Sequence, residues 1–351
     1  MSGNIYTVAR QAGVSVATVS RVLNKRPGAI AISEATRKRV LAVSERLKYR
    51  PNAHNRAFRL KRSEQIGLIV PDLSRIVRAG HAFSDPNLAE VLSGIEDKVS
   101  SEGYQLILLV ANESFLSRKR HLEVARDRSV DGLLLWGVHA SDTYMSELLE
   151  EDIPCLQVRS CIATPRSPGV VGDDQGGARM VTEHLLKLGH RCIGYLGGPE
   201  EVVPAAQRRA GFKSAIKEYK QTRVWEEQIL EGEFTEEGGF LAARRLLRHK
   251  PVPTAIVALN DMTALGVYRA IRELGLRIPQ DISVVGGDGI DLCRYIEPSL
   301  TTFSIPCFEI GLRAAERMIK QLEGKNEDKK SQEVEILPAK FQSGQSTAPP
   351  A

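Results

Sequence analysis

Cysteine is scarce and scattered: Cys155, Cys161, Cys192, Cys293 and Cys307 are the five in 351 residues, and none forms a C-x-x-C pair or a zinc-ligand spacing. Neither a disulfide framework nor a structural metal is expected, and a reduced cytoplasm is the expected compartment. Long apolar runs are missing as well, since no window approaches the roughly 18 apolar residues of a membrane span. The opening MSGNIYTVAR has no apolar stretch of the kind that drives export, so secretion is not expected. Acidic residues are nearly absent from the first 62 positions, where only Glu34 and Glu45 face fourteen Lys and Arg. That segment carries +12 and the remainder −7. A basic head on an acidic body is the charge arrangement of a polyanion-binding module fused to a body that should stay off nucleic acid.

Catalytic constellations are lacking too. The run Gly287-Asp-Gly289 begins like a dinucleotide fingerprint, but the third glycine is missing and no βαβ unit follows. His184 and His190 have no nucleophile or acid pair at a telling distance, so they read as structural. No catalytic residue, cofactor or metal is expected, and the chain does not read as an enzyme.

What is present organises the chain. With 42% apolar residues over this length, two or three units can each have a core. Ile5, Val8, Ala9 and Ala12 fall on one helical face, and Gly13 follows where a left-handed stop would sit. Ser15 can cap a second helix burying Val19, Val22 and Leu23, and a third runs from a Ser33 cap through Val40, Val43 and Leu47. Two helices joined by so tight a turn make a helix-turn-helix. From Ile66 onward, apolar strand-like runs (66–70, 106–110, 132–136, 154–158, 193–197, 255–259, 282–286) alternate with amphipathic helices (88–102, 177–188, 205–218, 236–247, 262–274). Such alternation predicts parallel sheets flanked by helices, and this many strands predicts two of them. The tail 345–351 is rich in Ser, Thr and Pro and is expected to fray.

Residues 8–24, VARQAGVSVATVSRVLN, resemble the helix-turn-helix of the lactose-repressor (LacI/GalR) family. Tyr49-Arg-Pro-Asn52, Ile66 to Asp72, Glu183 to His190, Leu196 to Pro199, Asp281 to Gly286 and Pro298 to Thr302 are similar to its later landmarks. The resemblance implies a small all-α DNA-binding domain at 1–50 and a hinge at 51–65. A periplasmic-binding-protein-like α/β body of two doubly wound subdomains would follow, the first from 66–171 and 304–330, the second from 172–303 and 331–343, with a flexible tail at 344–351. It also implies a homodimer on a pseudo-palindromic operator. The chain departs from the family pattern in a longer loop between Asn24 and Ser33 and an enlarged loop from Leu73 to Asn87.

On that pattern Val16, Ala17 and Arg21 face the major groove, where Arg can grip guanine O6 and N7 bidentately and a small apolar side chain can meet a thymine methyl. Thr7, Ser15, Thr18, Ser20 and Asn24 complete the major-groove set, with Ser15, Thr18 and Ser20 placed for phosphates. Asn52, Asn55, Arg56 and Phe58 would form a minor-groove element, with Phe58 as the wedge.

In the body, ligands of doubly wound sheets bind outside the carboxyl ends of the strands, where Trp136, Arg159, Asn260, Asp261 and Asp288 lie. The resemblance adds Arg208 and Phe234. Aromatic faces, carboxylates and amides suit a sugar. Arg159 stands where sugar-binding relatives commonly place an Asp, and with Arg208, and with Arg75 or Arg78, it would make the cleft cationic, suited to a sugar acid or sugar phosphate. The competing reading pairs Arg159 with Asp173, Asp174 or Glu200 as a latch, leaving a neutral sugar as the effector.

Overall fold

The computed structural model describes residues 4–23, 32–49, 62–72, 85–139, 142–162, 168–219, 222–228, 234–324 and 333–350. The chain divides into two compact units, residues 1–63 and 64–351.

The head holds helices α1 (Ile5–Ala12), α2 (Val16–Leu23) and α3 (Glu34–Arg46). Their limits follow from local chemistry. Asn4 accepts the amide of Thr7, Gly13 closes α1 at φ 62°, and Ser15 and Ser33 accept the amides of Thr18 and Thr36. The core is small and aliphatic: Val8, Ala9, Ala12, Val19, Val22, Val40 and Val43. Two of the many basic residues are structural, since Arg39 donates to the Ala12 carbonyl at 2.8 Å and Arg46 to Gln11 at 2.8 Å.

In the body the first sheet is entirely parallel, in the order β11 (Val334–Leu337), β5 (Gly169–Gly172), β4 (Cys155–Arg159), β3 (Gly132–Trp136), β1 (Gln65–Pro71), β2 (Gln105–Ala111). The second, also parallel, runs β7 (Arg223–Gln228), β6 (Cys192–Gly197), β8 (Ala255–Ala258), β9 (Ser283–Val285). Helices cover both, because the central strands, apolar on nearly every side chain, must be buried on both faces. Those on the first sheet are α4 (Pro86–Ser101), α5 (Glu113–Ser117), α6 (Arg120–Arg126) and α7 (Tyr144–Glu150). On the second lie α8 (Asp174–Lys187), α9 (Val203–Lys217), α10 (Glu236–Leu246) and α11 (Asp261–Glu273). The last helix, α12 (Cys307–Leu322), returns to the first sheet and crosses α4 at Gly94 and Gly311. The approach is so close that a Cβ on Gly94 would stand 2.0 Å from the Phe308 carbonyl.

The chain leaves the first sheet through β5 into α8 and returns through β10 (Thr302–Ser304) into α12. The third crossing differs from the expected 331: Val334–Leu337 pairs with β5 as an edge strand of the first sheet, so the chain crosses only between Leu337 and β12 (Lys340–Gln342), which pairs antiparallel with β10.

The tail also departs from expectation. Ser346 is fully buried, its hydroxyl donating to the Val284 carbonyl at 2.6 Å and accepting the Thr301 amide at 2.8 Å. His190 Nε2 meets the Ala348 carbonyl at 2.9 Å. Ser and Thr here extend the hydrogen bonding at the β9 end of the second sheet, and composition alone does not distinguish that from a solvated coil.

Candidate functional site

Three of the helices that bring polar groups to the cleft begin at capping residues. Asn260 caps α11 by accepting the Thr263 amide at 2.9 Å, and its amide nitrogen reaches the Phe234 carbonyl at 3.4 Å. Asp173 caps α8 through the Gly176 amide, and Asp85 caps α4 through the Asn87 amide at 2.8 Å. Trp136 and Arg159 are the last residues of β3 and β4, and Asp288 follows β9. Among the described residues, all six expected effector contacts, Trp136, Arg159, Arg208, Phe234, Asn260 and Asp288, line one cleft of about 370 Å3 at the carboxyl ends of both sheets.

The charges inside that cleft form a closed ring. Arg159 Nη1 lies 2.5 Å and Nη2 3.3 Å from the carboxylate of Asp174, the first residue of α8. Arg208 Nε donates to Asp174 Oδ1 at 2.8 Å, its Nη2 to Asp288 Oδ1 at 2.5 Å, and its Nη1 to the Leu259 carbonyl at 2.7 Å. Arg159 Nη2 stands 3.5 Å from Asp288 Oδ1, closing the ring. All four side chains are buried. Burial opposes the charge on both arginines, and the facing carboxylates more than restore it. Burial likewise raises Asp174, but Arg159 and Arg208 pull it below the usual carboxylate range. Arg159 and Arg208 therefore do not make the cleft strongly cationic: their charges are met by Asp174 and Asp288. Of the three partners the sequence allowed for Arg159, it takes Asp174.

Two of these residues hold unusual backbones, Arg159 at φ 72° and Asp288 at φ 126°. Such conformations cost about 1–3 kcal/mol each and persist where the surroundings hold them. Asp288 is held by its neighbours on the return strand, donating its amide to the Phe303 carbonyl at 2.9 Å and accepting the Ile305 amide at 3.1 Å. Asp261 fastens the same loop from behind, accepting the Gly289 and Ile290 amides at 2.6 and 2.9 Å and the Thr302 hydroxyl at 2.6 Å. It is a buried structural carboxylate and not a ligand contact, pushed up to about 6 by burial and by the charge of Asp288.

Sequence reasoning missed several polar groups on the cleft wall, among them Asp85 and Ser160. Asp85 could have been found from the Asp85-Pro86 helix start. Ser160, next to Arg159, carried no signal. Arg75 and Arg78 lie outside the described residues.

In the head, Ala17 is exposed and Arg21 and Val16 are half-buried along α2, with Val16 also packing on the head core. Ser15 is exposed, and Thr7 and Thr18 are partly so. Ser20, expected at a phosphate, is largely buried, at 6% exposure. Asn24, Asn52, Asn55, Arg56 and Phe58 lie outside the described residues.

Residues 4–52 match the family model of bacterial regulatory proteins, lacI family, and residues 182–347 that of the periplasmic binding protein-like domain. Catabolite control protein A of Priestia megaterium is 32% identical over 348 residues, covering 99% of this chain and 100% of that one. The lac repressor dimer bound to operator and the anti-inducer ONPF is similar with a TM-score of 0.84 and 28% identity, over 99% of this chain and 100% of that one. The transcriptional regulator CelR in complex with cellobiose follows at a TM-score of 0.70 and 27% identity, over 98% and 99%. A basic three-helix head, two parallel sheets around a cleft, and a relative aligned over its full length give one answer: the chain belongs to the LacI family of DNA-binding transcription regulators and is not an enzyme.

Proposed function

We propose that this regulator is a repressor that holds a pseudo-palindromic operator as a homodimer and responds to a carbohydrate bound in the cleft. The observation that carries the effector reading is the charge ring. Its guanidiniums are already held by carboxylates, so among the described residues the two cleft arginines are not free to take a sugar acid or sugar phosphate. What it does offer is the outer oxygen of Asp288, the amide of Asn260 and the ring faces of Trp136 and Phe234. Acceptors beside aromatic planes suit hydroxyl hydrogens and the C–H face of a sugar ring. Complexes of relatives point the same way, one holding cellobiose.

A thermal-shift panel on the full chain tests this, because a ligand held only by the folded state raises its melting point. Neutral mono- and disaccharides, uronates, sugar phosphates and nucleobases are compared, and each hit is carried into an operator-retention assay. Neutral or amino sugars are expected to raise the melting point and change retention. A response confined to phosphates, uronates or nucleobases would overturn the effector reading.

A further inference from the structure

The Arg159–Asp174–Arg208–Asp288 ring is neutral as a whole, two cations against two anions. That leaves one carboxylate on the cleft wall outside it. Asp85 enters the cleft from the first subdomain, half-buried, with one oxygen accepting the Asn87 amide at 2.8 Å. No ion pair reaches it among the described residues. Burial raises its pKa first and the nearby Asp288 charge second, while Arg159 opposes both only in part. Ser160 lines the same cleft and is buried to 4% exposure, yet its hydroxyl has no hydrogen-bond partner among the described residues. Buried polar groups are nearly always satisfied, and an orphan hydroxyl on a residue of the cleft wall is an exception that a bound ligand could answer.

We infer that Asp85 and Ser160 are polar contacts of the effector site from the first subdomain, beside Trp136, and that the effector presents a cationic nitrogen to Asp85, as an amino sugar does. This rests on the carbohydrate reading above. An ammonium supplies a charge to balance Asp85 among the described residues, and with both partners ionised the bond is charge-assisted. Asp85 stands on the first subdomain and Asp288 on the second. A ligand with donors at both ends therefore ties binding to closure of the two.

Calorimetry with glucosamine, galactosamine and mannosamine, each against its parent hexose, its N-acetyl derivative and its 6-phosphate, tests this. At least one amino sugar is expected to bind tenfold or more tighter than its N-acetyl and parent forms, with the phosphate weaker still. Asp85→Asn is expected to remove that advantage while leaving the ligand-free melting point in place, because Asn caps a helix as well as Asp does. Ser160→Ala is expected to weaken the same ligand without lowering ligand-free stability, which a structural hydroxyl would not allow. No advantage for the amine, or one that survives Asp85→Asn, overturns the inference and leaves the carbohydrate reading standing. Failure of every sugar alongside a response to another ligand class overturns both.

Discussion

Arg159 ends β4 in a left-handed conformation with its guanidinium shut inside the body, and both features follow from one partner. A carboxylate at the start of α8 is rigid, since Asp173 and Asp174 begin that helix and its N-terminal dipole favours their charge. To reach Asp174 the chain turns at Arg159 with φ 72°, and the bidentate grip compensates for the strain. Removing one member of a buried ion set leaves an uncompensated charge, which costs about 3–5 kcal/mol. Arg159→Ala is therefore expected to lower stability by that order in a denaturant titration without abolishing effector binding. The reverse pattern, normal stability with affinity lost, would return Arg159 to the role of ligand contact and restore the anionic effector. The sequence places Arg159 at a strand end, and the resemblance adds Arg208 on a helix, but the partner of Arg159 is left open among Asp173, Asp174 and Glu200. Which of them closes the ring depends on where β5 turns into α8, a tertiary fact that spacing does not encode.

Elements with a strong local pattern were legible, and those defined by their neighbours were not. Strands with five or more consecutive apolar residues announce themselves, whereas the buried β5 is only GVVG, β7 and β11 are edge strands with polar residues interleaved, and β10 and β12 have three residues each. The C-terminal segment shows the same limit. Its anchor is His190, which sits beyond α8 with its Nδ1 against the Thr254 hydroxyl and its Nε2 against the Ala348 carbonyl. Burial lowers its pKa below the ordinary histidine value, so in acid the unfolded chain takes up the proton first. Its contribution to stability is therefore complete above about pH 6.5 and declines as pH falls from there through the folded value. Asp261 works in the opposite sense: raised to about 6, its penalty on the fold is complete above that pH, declines as pH falls below it, and is gone only below the ordinary carboxylate value. The two partly cancel in the wild type, so the comparison must be between proteins. His190→Gln keeps a donor for the Ala348 carbonyl but does not titrate. The variant is expected to be less stable than wild type at pH 7.5 and to close that gap by pH 5.5, read as the difference in melting temperature. A constant gap would remove His190 from the titration.

At the scale of the molecule, charge is divided between the two units, +12 on the first 62 residues and −7 on the rest. Phosphate neutralisation by the head supplies affinity for any DNA and makes it fall steeply with salt, whereas discrimination must come from the few side chains of α2 that stand clear of the core. Ala17 and Arg21 are such residues, and Arg21 can make a bidentate contact. Identical heads in a two-fold dimer read half-sites related by the same symmetry, so protection on the operator is expected in two matching halves about a central axis. Arg21→Ala is expected to cost about 1–3 kcal/mol on the operator and to relax the preference at one base pair in each half. Because the lost contact is to a base and not to a phosphate, the dependence of log affinity on log salt should keep its slope, and binding to random DNA should barely change. Selection of binding sites from a random library with both proteins, alongside a salt series, reads all of these at once. An asymmetric footprint would remove the dimeric reading, and an equal loss on operator and random DNA with a shallower salt slope would make Arg21 a phosphate contact.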